Sequence, residues 1–149
     1  AVVGAEWTEG IVLRYGGFYG PGTSLDGPGS EHVELLRRRL FPLIGDGGGV
    51  WSFIHVADAA EATVAALERG RRGIYNIVDD EPARVADWLP ALARAVGAKP
   101  RWLGRLLGGE AATLMLTAQR GASNAKARRE LGWAPRHPSL VGSFAEGTA

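Results

Sequence analysis

The feature that most constrains this chain is an apolar segment followed closely by paired glycines. Ile11, Val12 and Leu13 predict a buried strand, and the chain breaks into a loop at Gly16 and Gly17. Glycines after such a strand let the backbone approach another group closely, because no Cβ is in the way. In an open α/β sheet, ligands bind at the carboxyl ends of the strands. We therefore expect this loop to form one wall of a pocket.

Two aromatic residues and a rigid turn continue the loop. Phe18 and Tyr19 lead into the turn Gly20-Pro21-Gly22. The two aromatic side chains either face a bound substrate or pack within the core, and the local sequence leaves both interpretations open.

Beyond the loop, hydrophobic periodicity and capping residues predict alternating helices and strands. Helices are predicted over Ser30 to Leu40, Asp58 to Gly70, Asp87 to Gly97, Glu110 to Arg120 and Asn124 to Gly132. Strands are predicted over Phe41 to Gly45, Val50 to Val56, Gly73 to Val78 and Pro100 to Leu103. A further weak helical turn is expected around Phe144. This alternation is typical of the α/β class.

The predicted strand from Val50 to Val56 places Trp51, Phe53 and His55 on one face. We expect His55 to be a buried or subsite histidine rather than a catalytic base. Asp58 is predicted to cap the helix that follows, since a carboxylate at that position can accept a backbone N–H.

Three further expectations concern packing. Pro90 fits its helix only if it falls in the first turn, because proline has no backbone N–H to donate. Leu114, Met115 and Ala118 are predicted to form the apolar face of their helix. Asn76 is expected to bond backbone groups within its own sheet.

Composition excludes several classes of function. With 149 residues, 46% of them hydrophobic, the chain can bury one moderate core. No apolar run approaches the roughly 18 residues of a membrane span. A net charge of +1 gives no field that would attract nucleic acid. Zero cysteines rule out disulfides and thiolate chemistry. We expect a cytoplasmic protein, and the excess of arginine over lysine suggests a GC-rich bacterial genome.

Metal binding and hydrolase chemistry are not predicted. His32 and His137 have no histidine or carboxylate partner at the sequence spacing of metal ligands. No serine lies in the Gly-x-Ser-x-Gly turn with which α/β hydrolases expose their nucleophile.

Four ordered stretches resemble one enzyme family. Arg14 to Gly22, Arg-Tyr-Gly-Gly-Phe-Tyr-Gly-Pro-Gly, is similar to the segment after the catalytic helix in extended short-chain dehydrogenase/reductases, the NAD-dependent epimerase/dehydratase family. Ser52 to Ala60, Gly73 to Val78 and Ser123 to Trp133 agree with later segments of that family, in the same order. The resemblance implies the C-terminal part of a Rossmann-like doubly wound sheet plus the small substrate-binding lobe. Residues 1–149 would then form a single truncated domain.

The signatures that carry hydride chemistry in this family are absent from the sequence. There is no Gly-x-x-Gly-x-x-Gly turn to hold a cofactor pyrophosphate and no Tyr-x-x-x-Lys to transfer a proton. We therefore predict no catalytic residue in this chain and no cofactor binding by the chain alone, with NAD or NADP bound by the intact parent enzyme. Ala1 to Gly10 reads as the tail of an earlier helix, so the cofactor-binding half is expected upstream.

The resemblance also implies which residues form the site. Tyr15, Gly16 and Gly17 would lie against the nicotinamide, although a tight loop that needs glycine for its geometry explains them equally well. Phe18, Tyr19, Trp51 and His55 would face a small-molecule substrate. Gly17 stands where sugar-nucleotide enzymes of the family usually carry Asn, and Trp51 stands where they usually carry Arg. Since an indole cannot pair with phosphate, a less polar carbonyl or alcohol is as well supported as a nucleotide sugar.

A second hypothesis assigns the chain to another class. Without a first half, the apolar strand Ile11 to Leu13 and the nearby aromatic residues would be exposed, which favours self-association. The chain would then be a non-catalytic module that binds a partner or forms a homo-oligomer.

Overall fold

The structure, a computed structural model, describes residues 10–26, 29–41, 43–99, 102–103 and 109–146. The expected helix tail at the start of the chain lies outside these residues, apart from Gly10. The helices are α1 (Glu31–Arg37), α2 (Val56–Arg69), α3 (Val85–Ala95), α4 (Glu110–Thr117), α5 (Ala125–Leu131) and α6 (Leu140–Glu146). The strands are β1 (Ile11–Tyr15), β2 (Gly17–Tyr19), β3 (Leu43–Ile44), β4 (Val50–Trp51), β5 (Phe53–His55), β6 (Gly73–Ile77), β7 (Ala83–Arg84) and β8 (Trp102–Leu103). No described helix combines the length and apolar character needed to cross a membrane.

Two parallel strand pairs meet at Gly16. Strand β1 runs parallel to β6, and β2 runs parallel to β5. The Gly16 N–H donates to the carbonyl of Ile77 at the end of the first pair, over 3.0 Å. The Gly17 N–H donates to the carbonyl of Ser52 beside the second pair, over 2.9 Å. The chain therefore passes from one pair to the other between two adjacent residues.

The core has two parts, which strand β5 separates because its side chains alternate between faces. On one side Ile54 joins the alanine-rich face of α2, together with Tyr75 and Trp133. On the other side Phe53 joins Trp88 of α3 and the buried residues of α1, α4 and α6. The small side chains of α2 let the helix approach the sheet closely, and this helix ends before Gly70, as predicted.

The predicted strand from Val50 to Val56 is wrong as one continuous element. It divides at Ser52 into β4, which pairs antiparallel with β7, and β5, which pairs parallel with β2. The Ser52 hydroxyl is bonded to the distant backbone of Ala122, whose N–H donates to it over 2.8 Å. This contact between residues 70 positions apart has no signature in the local sequence.

Helix α2 begins earlier than predicted, and Asp58 is not its N-cap. The cap is His55, whose Nδ1 accepts the Ala57 N–H over 3.2 Å. Asp58 lies in the first turn and is completely buried.

Two helix predictions fail because tertiary packing overrides local rules. Pro90 is the sixth residue of α3, beyond the first turn. The neighbouring side chains of Trp88 and Leu89 are buried in the core, and this packing stabilises the helix. In α4, the predicted face does not hold for Leu114, which is 55% exposed, or for Ala118, which is also exposed, and the side chain of Met115 lies outside the described residues. Leu116 is buried instead, and its carbonyl accepts the Gly49 N–H.

Candidate substrate and cofactor cleft

A cleft of about 720 Å³ opens at the carboxyl ends of β1 and β6. The ends of these strands contribute Arg14, Tyr15 and Asn76, and the crossing between the strand pairs contributes Gly16 and Gly17. The cleft therefore lies where parallel α/β sheets bind ligands, as the paired glycines predict.

A second wall combines β4 and Ser52 with Gln119 and residues 121–123, from the segment between α4 and α5. Hydrogen bonds with β4, Ser52 and Asn76 hold this segment in place. The Val50 N–H donates to the Gln119 carbonyl over 2.8 Å, the Ala122 N–H donates to Ser52 Oγ over 2.8 Å, and the Asn76 amide donates to the Ser123 carbonyl over 3.3 Å. Asn76 thus bonds backbone as predicted, but the prediction that this backbone belongs to its own sheet is wrong.

A cluster of packed aromatic rings holds Trp51 in place at the cleft. The partly exposed Trp51 ring lies 5.4 Å from the ring of Trp88 and 6.1 Å from that of Phe53, measured between centroids. Trp88 and Phe53 are buried. Because its neighbours are rigidly packed, the Trp51 indole offers a fixed apolar surface to the cleft.

Comparison with known proteins decides the family. Residues 2–78, slightly more than half of the chain, match the profile of the NAD dependent epimerase/dehydratase family. The chain belongs to that family. A Streptomyces relative, 3-diazoavenalumate denitrifying reductase, is 48% identical over 143 residues, which make up 93% of this chain and 47% of that enzyme.

Solved structures of epimerases share the fold. UDP-glucose 4-epimerase from Thermotoga maritima, solved with UDP-glucose, superposes with a TM-score of 0.64 at 25% identity, over 90% of this chain and 43% of that one. UDP-glucuronic acid 4-epimerase from Bacillus cereus, solved with UDP-glucuronic acid and NAD, gives 0.62 at 25% identity, over 91% and 42%. The predicted α/β, Rossmann-like fold class is confirmed, and the chain spans about half the length of these epimerase/dehydratase relatives.

Of the seven site residues predicted from the sequence, four line the cleft and three lie elsewhere. Tyr15, Gly16, Gly17 and Trp51 line it. The other three, Phe18, Tyr19 and His55, lie outside it: Phe18 is 43% exposed beside the ring of Tyr15, whereas Tyr19 and His55 are buried.

Tyr19 and His55 are core residues in the geometry of the fold. The Tyr19 hydroxyl donates to the carbonyl of His137 over 3.2 Å, and burial raises the pKa of Tyr19 to about 12. Burial lowers the pKa of His55, and the neighbouring His137 lowers it further.

The cofactor site predicted at Gly16 and Gly17 can be tested against their backbone. Both N–H groups already donate to carbonyls of the fold, so neither is free to bind a ligand. A Cβ on Gly16 would lie 2.7 Å from the Ser52 carbonyl oxygen, so the close strand approach alone requires glycine here. The two glycines serve the close approach of the strands, and any cofactor contact would be made without their N–H groups.

A buried polar cluster, which sequence spacing did not reveal, lies apart from the cleft. One Asp58 oxygen accepts the backbone N–H of His137 over 2.8 Å and lies 3.1 Å from its Nδ1. Sequence spacing gave His137 no carboxylate partner at metal-ligand distance, and it could not reveal Asp58, because the two residues are 79 positions apart. The ring of His55 stacks on that of His137 with centroids 3.8 Å apart and planes inclined by 20°.

The same cluster contains potential metal ligands, since the ligand atoms of His55, Asp58 and His137 lie within 4.8 Å of one another. Near-parallel stacked rings direct their nitrogen lone pairs side by side rather than toward one point. His55 Nδ1 also accepts the Ala57 N–H, and its Nε2 faces the backbone of Gly20. In this geometry the cluster joins the N-terminus of α2 to the segment before α6.

Replacing Asp58 with asparagine should weaken this junction. We expect Asp58→Asn to lose about 1–2 kcal/mol of unfolding free energy in urea, because the charge-assisted part of the bonds to His137 is removed from a buried site. Glu61→Gln, in the same helix but in an exposed pair with Arg136, is the control and should change little. Equal losses in the two variants would contradict the structural role of Asp58.

Proposed function

We propose that this chain is the substrate-binding half of an NAD(P)-dependent oxidoreductase or epimerase and is inactive by itself. The sequence lacks both the glycine-rich turn and the Tyr-x-x-x-Lys pair on which the family's hydride chemistry depends. The chain's own contribution is the cleft, with Tyr15 to Gly17 facing the cofactor and Trp51 facing the substrate.

The observation that carries this proposal is that both predicted surfaces line one cleft. The loop at Tyr15 to Gly17 and the indole of Trp51 come from separate strands, yet they border the same space. A substrate there would contact the loop proposed to meet the nicotinamide, and hydride transfer requires that proximity.

The substrate we propose is a planar small molecule that is less polar than a nucleotide sugar. Trp51 offers a stacking surface and no charge for a diphosphate. The relative at 48% identity is named for the reduction of 3-diazoavenalumate, whereas the structures named for UDP-sugars are 25% identical. Phe18, Tyr19 and His55, which were predicted to face the substrate, are not assigned to the proposed site because they lie outside the cleft.

Cofactor titration tests the proposal that this chain does not bind NADH or NADPH by itself. We expect NADH and NADPH fluorescence to be unchanged by the 149-residue chain, and no oxidation of either cofactor with carbonyl substrates. The binding surface for the pyrophosphate is absent from the sequence, so stoichiometric NADH binding at micromolar concentrations would contradict this proposal.

Self-association is a second candidate function, and the surface around β1 favours it. Among the described residues β1 pairs only with β6, and Tyr15, Phe18 and Ile74 nearby are each more than a third exposed. An open strand edge beside apolar side chains is a typical site of pairing between chains. Light scattering that gives the dimer mass, with no response to cofactor, would support this candidate over the first.

A further inference from the structure

We infer that the cleft recognises an aromatic monoanion, whose carboxylate is bound by Arg14 while its ring lies on Trp51. This inference rests on the proposed function, because it takes the cleft to be the substrate site. It adds to the proposed function the charge of the substrate and the residue that binds the charged group.

The placement of Arg14 follows from strand geometry. Successive side chains of β1 point to opposite faces, and the Tyr15 hydroxyl is bonded to Thr63 of α2 over 2.6 Å. Arg14 therefore stands on the face away from α2, opposite Asn76 in the register of β6. Both Arg14 and Asn76 line the cleft.

No acidic side chain among the described residues neutralises Arg14. It has no ion pair within the described part of the chain, and it is the single charged residue among those that line the cleft. Three acids follow β6, and none lines the cleft: Asp79 is buried, Asp80 is bonded by Arg128 over 2.6 Å, and Glu81 lies outside the lining. The cleft therefore carries a net positive charge.

The single positive charge in the cleft lining indicates which kind of anionic substrate it can bind. One guanidinium matches one carboxylate with two parallel hydrogen bonds, whereas a nucleotide diphosphate brings two negative charges and needs more cations. The rest of the lining is neutral, and it includes Trp51 and Gln119. A flat ring that bears one carboxylate would pair the carboxylate with Arg14 and place the ring against Trp51.

The test compares cinnamate with its methyl ester, which keeps the ring and removes the charge. Binding to the 149-residue chain is followed by the indole N–H signal of Trp51 in nitrogen-15 spectra, assigned by its loss in Trp51→Phe. We expect cinnamate to bind at least about tenfold more tightly than the ester, since a hydrogen bond between two charged groups is stronger than one to a neutral ester.

Substitutions test whether Arg14 causes this difference in affinity between the acid and the ester. Arg14→Gln should remove the preference for the acid and leave ester binding unchanged, and Arg14→Lys should retain part of the preference. Arg136→Gln removes the same charge from an exposed residue that does not line the cleft and should leave both affinities unchanged. Circular dichroism establishes that each variant is folded.

The outcomes separate this inference from the proposed function. Equal binding of acid and ester, or an unchanged affinity for cinnamate in Arg14→Gln, overturns the role of Arg14 but leaves Trp51 as an aromatic site. If neither compound shifts the Trp51 signal and UDP-glucose does, both the inference and the proposed substrate class are wrong. If none of the three shifts it, the cleft is not a substrate site and both proposals fail.

Discussion

A Gly16→Ala chain is expected to lose about 3 kcal/mol of unfolding free energy or more. A Cβ at this position would lie 2.7 Å from the carbonyl oxygen of Ser52 and 2.9 Å from two backbone atoms of Phe53. Backbone atoms beside a strand pair cannot rotate away as a side chain can, so β2 and β5 must separate locally. That separation would also lengthen the hydrogen bond from Gly16 to Ile77.

Gly48→Ala is the matched control for this substitution. The nearest atoms to its added Cβ belong to the flexible carboxylate of Asp46, at 3.3 Å, and the side chain can move away. Urea denaturation should show a loss below about 1 kcal/mol for the control. Similar midpoints for the two variants would mean that the close approach at Gly16 does not determine the strand arrangement.

The same substitution bears on the cleft, because Gly16 and Gly17 form part of its wall. In a Gly16→Ala chain that is still folded at low temperature, the indole signal of Trp51 should move, since Ser52 and the segment after α4 shift with the strand. A large loss of stability with an unchanged Trp51 signal would show that the cleft is independent of this crossing.

Local sequence determined the features of the fold that depend on a few adjacent residues. The strand at Ile11 and the end of α2 before Gly70 were predicted correctly, because strand propensity and glycine at a helix end act over a few positions. The end of α5 before Gly132 has the same cause, as that glycine adopts a left-handed conformation with φ of 59°. The family resemblance is also carried by short ordered segments, so the sequence was sufficient to detect it.

Contacts between distant residues determined what local sequence did not. The pairing of Asp58 with His137 moved the helix cap to His55, and the bond from Ala122 to Ser52 accompanies the break in the predicted strand. The predicted common side of Trp51, Phe53 and His55 is kept, since Trp51 packs on Phe53 and His55 contacts Tyr19 of the same core cluster. The alternation did not show that Trp51 borders the cleft whereas His55 is buried.

Asp79 makes the stability of the chain depend on pH. It is 1% exposed, and neither of its oxygens has a hydrogen-bond partner among the described residues. Burial raises its pKa to about 7, and the nearby N–H groups of Leu140 and Phe53 offset only part of this effect, because neither reaches an oxygen with hydrogen-bond geometry. The carboxylates of Asp80 and Glu81 add a smaller increase.

The direction of the effect follows from proton binding. Between about pH 4 and pH 7 the folded chain keeps the Asp79 proton while the unfolded chain has released it. The unfolded state then binds fewer protons, so stability should fall as pH rises through this interval. The fall should be on the order of 3 kcal/mol and should level off above pH 7, where both states are ionised.

Asp79→Asn removes the titrating group while keeping its shape. The variant should be more stable than the native chain by about 2 kcal/mol near pH 8 and similar to it near pH 5, as measured by urea denaturation across this range. The adjacent Asp80 is the matched control with the opposite sign: burial alone would raise its pKa, but hydrogen bonds from Arg128 and Asn124 lower it. Asp80→Asn should therefore destabilise the chain near pH 8, and this effect should diminish as the pH falls below about 4 toward the lowered pKa of Asp80. If Asp79→Asn retains the native pH dependence, another group is responsible, and Asp79 is ionised in the fold despite its burial.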